Sequence, residues 1–182
     1  MPFPELEYGK LQILSLNIFI ILFKASTLNP YHLKANLEEV EVSLRKTCDQ
    51  SSLLANHILI LLISILLMAK FLAGYITLAA NVIAMFPILT EALPHLLIPP
   101  ILAQAIDHVL LSLLETILGF FTLYYHHAAT ANGKVGVLVI FLTSMTIKIG
   151  AAIATLNVYS DFYQHLKYPI YISYDSKDSL FE

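Results

Sequence analysis

One cysteine, Cys48, stands in 182 residues, which excludes an intrachain disulfide, a zinc knuckle and any membrane oxidoreductase that works through cysteine pairs. No Asn-X-Ser/Thr sequence occurs, so no loop is marked as lumenal by a glycan acceptor. Charge is scarce: charged residues make up 13% of the chain and the formal net charge is −3. The Lys and Arg residues form no basic stripe with interleaved aromatics, which sets nucleic acid aside as a partner. His-Glu-X-X-His is absent and no second histidine lies one turn from His108. An intramembrane metalloenzyme using His57, His95, His108, His126 or His127 is therefore the weakest reading, and neither a metal nor a cofactor is expected. What the chain has in quantity is apolar surface: it is 58% hydrophobic with a mean hydropathy of +0.74, outside the range of ordinary soluble domains. The expected fold is all-α, a polytopic membrane protein with a single transmembrane domain over residues 1–182.

Four apolar segments are separated by polar ones. The first, over 8–28, reaches the roughly twenty residues a bilayer needs, with Tyr8, Lys10 and Lys24 as interfacial anchors or snorkelling groups. A cleaved signal peptide is the rival reading, opposed by Glu5 and Glu7 in the leader and by Lys24 at the cleavage position. Residues 29–52 carry Lys34, Glu38, Glu39, Glu41, Arg45, Lys46 and Asp49 and are expected to be a solvated loop, although Leu37, Val40, Val42 and Leu44 permit a short amphipathic helix. The second span, 53–84, is either one long tilted helix or two spans hinged near Lys70, which would make five in all; the absence of proline there favours continuity. Pro87, Thr90, Glu91, Pro94 and His95 supply breakers before the third span, 96–125, and Asn132-Gly133 makes a tight turn before the fourth, 135–159. The tail, 160–182, is tyrosine-rich and includes Tyr163-Gln164-His165-Leu166, the form of a tyrosine-based sorting signal abutting the last helix. The positive-inside bias of the loops is small and leaves the orientation open.

The third span carries the polar groups. At about 100° per residue, Gln104, Asp107, His108, Ser112 and Glu115 fall within roughly 140° of arc, one wet face on an apolar helix. Ionisable groups at mid-bilayer cost from roughly 3 to above 10 kcal/mol, so this face is expected to turn toward protein, water or a ligand. Counted from the turn that joins the third and fourth spans, Lys148 and Glu115 differ in depth by roughly 4.5 Å, within reach of a long lysine. Thr146, Gly150 and Ala154 put small residues at four-residue intervals, a helix-packing pattern; Ala69, Ala73 and Gly74 offer a weaker one. Two functional classes follow. In the first, a non-enzymatic adaptor or complex subunit uses Gln104, Asp107, His108, Ser112, Glu115 and Lys148 to hold membrane lipids or other transmembrane proteins. In the second, an oligomeric proton or cation channel or transporter uses Asp107, Glu115 and Lys148 as a path. The first class places the Asp107 face against something other than this chain's own helices, because it has more polar groups than one lysine can satisfy.

Leu97-Ile98-Pro99 followed by Gln104, Asp107, Val109 and Leu110 resembles the opening of the third span in the lysosomal-associated transmembrane protein family. Lys148 followed by Asn157 and Tyr159 is similar to that family's fourth span. The four-span outline agrees, whereas a cysteine-rich N-terminus and a Pro-Pro-X-Tyr motif are missing and the second apolar segment is longer. The resemblance implies a late-endosomal or lysosomal membrane adaptor that holds lipids or transporters, with Asp107 as its intramembrane contact.

Overall fold

Leu28 and Asn29 end the first helix because Pro30 follows, and a residue before proline is pushed out of the helical region. The computed structural model describes residues 4–46, 53–127 and 134–167, all of them helical or in short connections. Helix α1 is Pro4–Thr27, and α2 is Pro30–Lys46. The expectation of a loop after the first span is corrected here. Asn29 Oδ1 accepts a hydrogen bond of 2.9 Å from the Tyr31 N–H, an N-cap with proline at the first helical position. Leu33, Leu37 and Val40 recur at helical spacing and are half-buried, and α2 packs on the next helix while its charged face stays exposed. Cys48 and Asp49 lie outside the described residues, as does the Asn132-Gly133 turn.

Helix α3, Leu53–Thr90, runs 38 residues without a break at Lys70, so the two-span alternative does not hold. It continues past the expected end near Ala84 and contains Pro87 one turn from its terminus, where the missing N–H leaves the Ile83 carbonyl without its α-helical donor. The connection that follows holds Glu91 and Leu93 at φ 55, a left-handed conformation that costs roughly 1–2 kcal/mol in a non-glycine residue. A short 3₁₀ turn, Pro94–Leu97, leads into α4, Ile98–Gln104, a π-helical turn, Ala105–Leu110, and α5, Leu111–His127, which together make one rod. Helix α6, Lys134–Lys167, extends well beyond the expected boundary at 159. Tyr163-Gln164-His165-Leu166, which has the form of a sorting signal, is therefore helical, and Tyr163 and Leu166 pack on the core. Tyr168, Tyr171 and Tyr174 lie outside the described residues.

Four helical segments are long and apolar enough to cross a membrane: Gly9–Thr27, His57–Thr90, Pro94–Leu123 and Gly136–Lys167. They pack α1 on α3 and α6, α3 on α4 and α5, and α6 on α5 and the π turn. The apolar core, Ile13, Ala84, Ile88, Leu97 and Tyr159, lies toward the end of the bundle where Lys10 meets Glu91. At about 1.5 Å per residue the first segment is ~28 Å long and the other three ~45–51 Å, against a hydrocarbon thickness near 30 Å. The three long helices thus overshoot the first.

Close approach is set by glycines other than the expected row. Thr146 and Ala154 are exposed and a Cβ on Gly150 would meet nothing, so this row is not a packing seam within the chain. A Cβ on Gly74 would lie 2.7 Å from Leu28 Cδ2, and one on Gly119 would overlap the Phe141 ring. Gly119→Leu is expected to lower stability by about 1–3 kcal/mol through overpacking, with Phe141→Ala in the same chain recovering part of the loss. Thermal unfolding in detergent reads both; a Gly119→Leu protein as stable as the parent would show that α5 and α6 are not in contact there.

Candidate functional site

The buried face of each helix is a stripe of residues spaced alternately three and four apart, and each stripe carries its polar groups in register with its neighbours. On α1 the stripe is Lys10, Ile13, Asn17, Ile20 and Lys24; on α3 it is Lys70, Gly74, Thr77, Asn81, Ala84 and Ile88. On α6 it runs through Lys148, Ala152, Thr155, Tyr159 and Phe162. Lys70 and Asn81, Gln104 and Glu115, and Lys148 and Tyr159 are each eleven residues apart, about three turns and ~16 Å. The result is two polar layers.

The first layer is neutral. Asn17, Asn81, Gln104 and Tyr159, one side chain from each of four helices, are completely or almost completely buried. Tyr159 donates its one hydroxyl proton to Asn17 Oδ1 at 2.7 Å, and its oxygen lies 3.0 Å from Asn81 Oδ1. Gln104 Nε2 donates to Asn81 Oδ1 at 2.8 Å, while Asn17 Nδ2 donates to the Asn81 carbonyl at 3.0 Å and Asn81 Nδ2 to the Thr77 carbonyl at 2.7 Å. Among the described residues, Gln104 Oε1 and Ser112 Oγ are buried with no hydrogen-bond partner.

The second layer is ionic. Glu115 Oε2 accepts from Lys148 Nζ at 2.9 Å and from Lys70 Nζ, so one carboxylate oxygen serves two ammonium groups. Between the layers lies a separate ion pair, Lys24 with Asp107, whose side chains are 12% and 3% exposed. His108 Nε2 is 3.7 Å from Asp107 Oδ2, too far for a hydrogen bond. A fourth contact closes the end of the bundle: Lys10 Nζ bonds Glu91 Oε1 at 2.6 Å and the Leu89 carbonyl at 3.2 Å.

The polar groups of this rod meet different helices at different depths, and a π turn lies among them. A π turn carries one residue more than an α turn, so everything after Leu110 is set back by about one position, ~100° around the helix. Gln104 meets the amide network, Asp107 meets α1, and Glu115 points between α3 and α6. Asp107, expected to contact a partner, is instead enclosed by this chain, and its counter-charge is Lys24, expected as an interfacial anchor. Gln104 and Ser112 are likewise turned inward, His108 is half-buried, and Glu115 and Lys148 keep partial exposure. Lys70 is an ion-pair partner and not a hinge. Asn17, Lys24, Lys70, Thr77, Asn81 and Tyr159 were not singled out as site residues, although each interrupts an apolar stretch at stripe spacing. Among the described residues no three His, Cys, Asp or Glu side chains come together as a metal-ligand set.

No protein-family profile, curated protein or solved structure matches the chain.

Asp107→Leu leaves the Lys24 ammonium enclosed without a counter-charge and is expected to cost about 3–5 kcal/mol. Combining it with Lys24→Met removes the stranded charge, so the double variant is expected to recover most of that loss. Unfolding of the parent, Asp107→Leu, Lys24→Met and the double variant in detergent measures the coupling; additive losses would mean that the pair is not formed.

Proposed function

We propose that this chain is a polytopic membrane protein whose four-helix bundle acts as a non-enzymatic scaffold, holding another transmembrane protein against its outward helix faces. The observation that carries the reading is the division of labour between faces. Asn17, Lys24, Lys70, Asn81, Gln104, Asp107, Glu115, Lys148 and Tyr159 are committed to one another across the helices. The outward faces present large apolar groups instead, among them Ile58, Leu61 and Ile65 on α3 and Val139, Ile140 and Ile147 on α6. Such faces suit lipid or the apolar surface of a neighbouring helix, and the exposed row of Thr146, Gly150 and Ala154 allows a neighbour to approach closely. The overshoot of the three long helices beyond α1 gives a partner an apolar flank outside a bilayer of ordinary thickness. The resemblance to the lysosomal-associated transmembrane family extends the proposal to the late-endosomal or lysosomal membrane, with a transporter as the kind of protein held.

A photo-crosslinking residue at Ile140 or Ile65 is expected to give a discrete adduct with one other membrane protein in native membranes, and the same residue at the buried Ile13 to give none. The partner should also purify in fixed stoichiometry with this chain in mild detergent. A chain that purifies free of other proteins, and that drives pH-dependent ion flux in proteoliposomes abolished by Asp107→Asn, would replace the scaffold with the transport reading.

A further inference from the structure

Glu115 carries one negative charge and faces two lysines, so the triad of Lys70, Glu115 and Lys148 holds one positive charge in excess. The excess lies on the outward side: the Lys148 side chain is 43% exposed and that of Lys70 21%. Exposed around Lys148 are Ser144 and Ala151, small groups that leave its ammonium open to the bundle surface. A cation so placed on an apolar surface calls for an anion from outside the chain.

The position of the triad indicates which anion. Along α3, Lys70 lies about 31 Å from Glu91, one hydrocarbon thickness from the Lys10–Glu91 pair that closes the other end. The apolar part of α1 spans the same interval, Gly9–Thr27, and the charged α2 begins just beyond it at Pro30. A bilayer fitted to α1 thus puts the triad at the phosphate boundary of one leaflet. The neutral layer then falls near the midplane, about 15 Å away.

From Lys148 a stripe of α6 runs toward that midplane through Ala151, Thr155 and Val158. It leads into an open groove of about 390 Å³ between α1 and α6, lined by Gln12, Ser15, Leu16 and Phe19 on one side and Ala154, Thr155 and Val158 on the other. Phe23 stacks on Phe19 at 6.3 Å, one turn nearer the triad, and extends the α1 wall in its direction. From Lys148 to Val158 the path is about 15 Å, the depth of a single leaflet. We propose that Lys148 and Lys70 hold the phosphate of an anionic phospholipid, with one of its acyl chains running along Ala151 into the groove between α1 and α6. A carboxylate on a partner helix would balance the charge too, but it would leave the groove at the end of the stripe without an occupant.

The test uses the purified full chain, equilibrated in micelles with equal amounts of phosphatidylglycerol and phosphatidylcholine, with retained lipid read by native mass spectrometry. One uncompensated lysine at the headgroup is expected to give roughly fivefold preference for phosphatidylglycerol. Lys148→Gln, which leaves Lys70 and Glu115 as a neutral pair, should reduce the ratio to parity, and Lys148→Arg should keep it. Ala151→Trp, on the exposed surface, should lower retention of both lipids by obstructing the chain path while the charges stay in place. Equal retention of the two lipids by the parent protein would overturn the site, as would a ratio indifferent to Lys148→Gln. Displacement of phosphatidylglycerol by inorganic phosphate, or a Lys148-dependent complex with a second protein in place of lipid, would overturn it as well. The site requires that the chain span a membrane and does not depend on the scaffold reading: loss of lipid selectivity with the Ile140 adduct intact defeats this inference alone.

Discussion

A polar group inside an apolar bundle has to find its partner on another helix, and α1 supplies such partners at three successive depths. Lys10, Asn17 and Lys24 lie on one stripe of α1 and meet Glu91, Asn81 and Asp107 at successive depths. Asn17 also accepts the Tyr159 hydroxyl proton, so α1 ties α6 to the same layer. Take α1 away and Asp107 loses its counter-charge, while Tyr159 loses the Asn17 oxygen that accepts its hydroxyl proton. A buried group without a partner costs about 1–3 kcal/mol when neutral and more when charged, so α1 determines whether the other helices can sit as they do.

Such contacts need not add net stability, because bringing two charges out of water offsets much of their attraction. Their stronger effect is on register. Sliding α1 by one turn along α3 would separate Lys10 from Glu91 and Asn17 from Asn81 together, leaving several polar groups unpaired at once. An apolar seam alone would tolerate such a slide far better, since leucine against isoleucine packs nearly as well one turn away. Gly74 against Leu28 adds a steric stop in the same seam.

The triad of Lys70, Glu115 and Lys148 differs from the other ionic contacts in two respects. It is unbalanced, with two ammonium groups on one carboxylate oxygen, and it is partly exposed. Enclosed, balanced pairs such as Lys24 with Asp107 hold the fold together, whereas an exposed and unbalanced cluster leaves charge directed outward. That contrast separates the groups that build the bundle from those available to a molecule outside it.

Composition and hydropathy alone were enough to read helices and four segments long and apolar enough to cross a membrane among the described residues, because burying apolar groups depends on residue type more than on partners. Spacing was enough to bring Lys148 to the depth of Glu115, since helical rise is the same in every helix. The α2 helix was legible too, in the Asn29-Pro30 cap and the recurrence of Leu33, Leu37 and Val40, but its density of charge weighed toward a loop. What only the tertiary structure decided is which polar group meets which. Lys24 reads equally well as an interfacial anchor or as an internal counter-charge, and the choice depends on where α1 lies against the π turn. That turn itself follows from no residue motif in Ala105–Leu110; it sets Glu115 back by ~100° from the line it would share with Gln104 on an unbroken α-helix. A sequence determines the period and depth of its polar groups, whereas their partners depend on helix rotation and register, which packing among all the helices settles together.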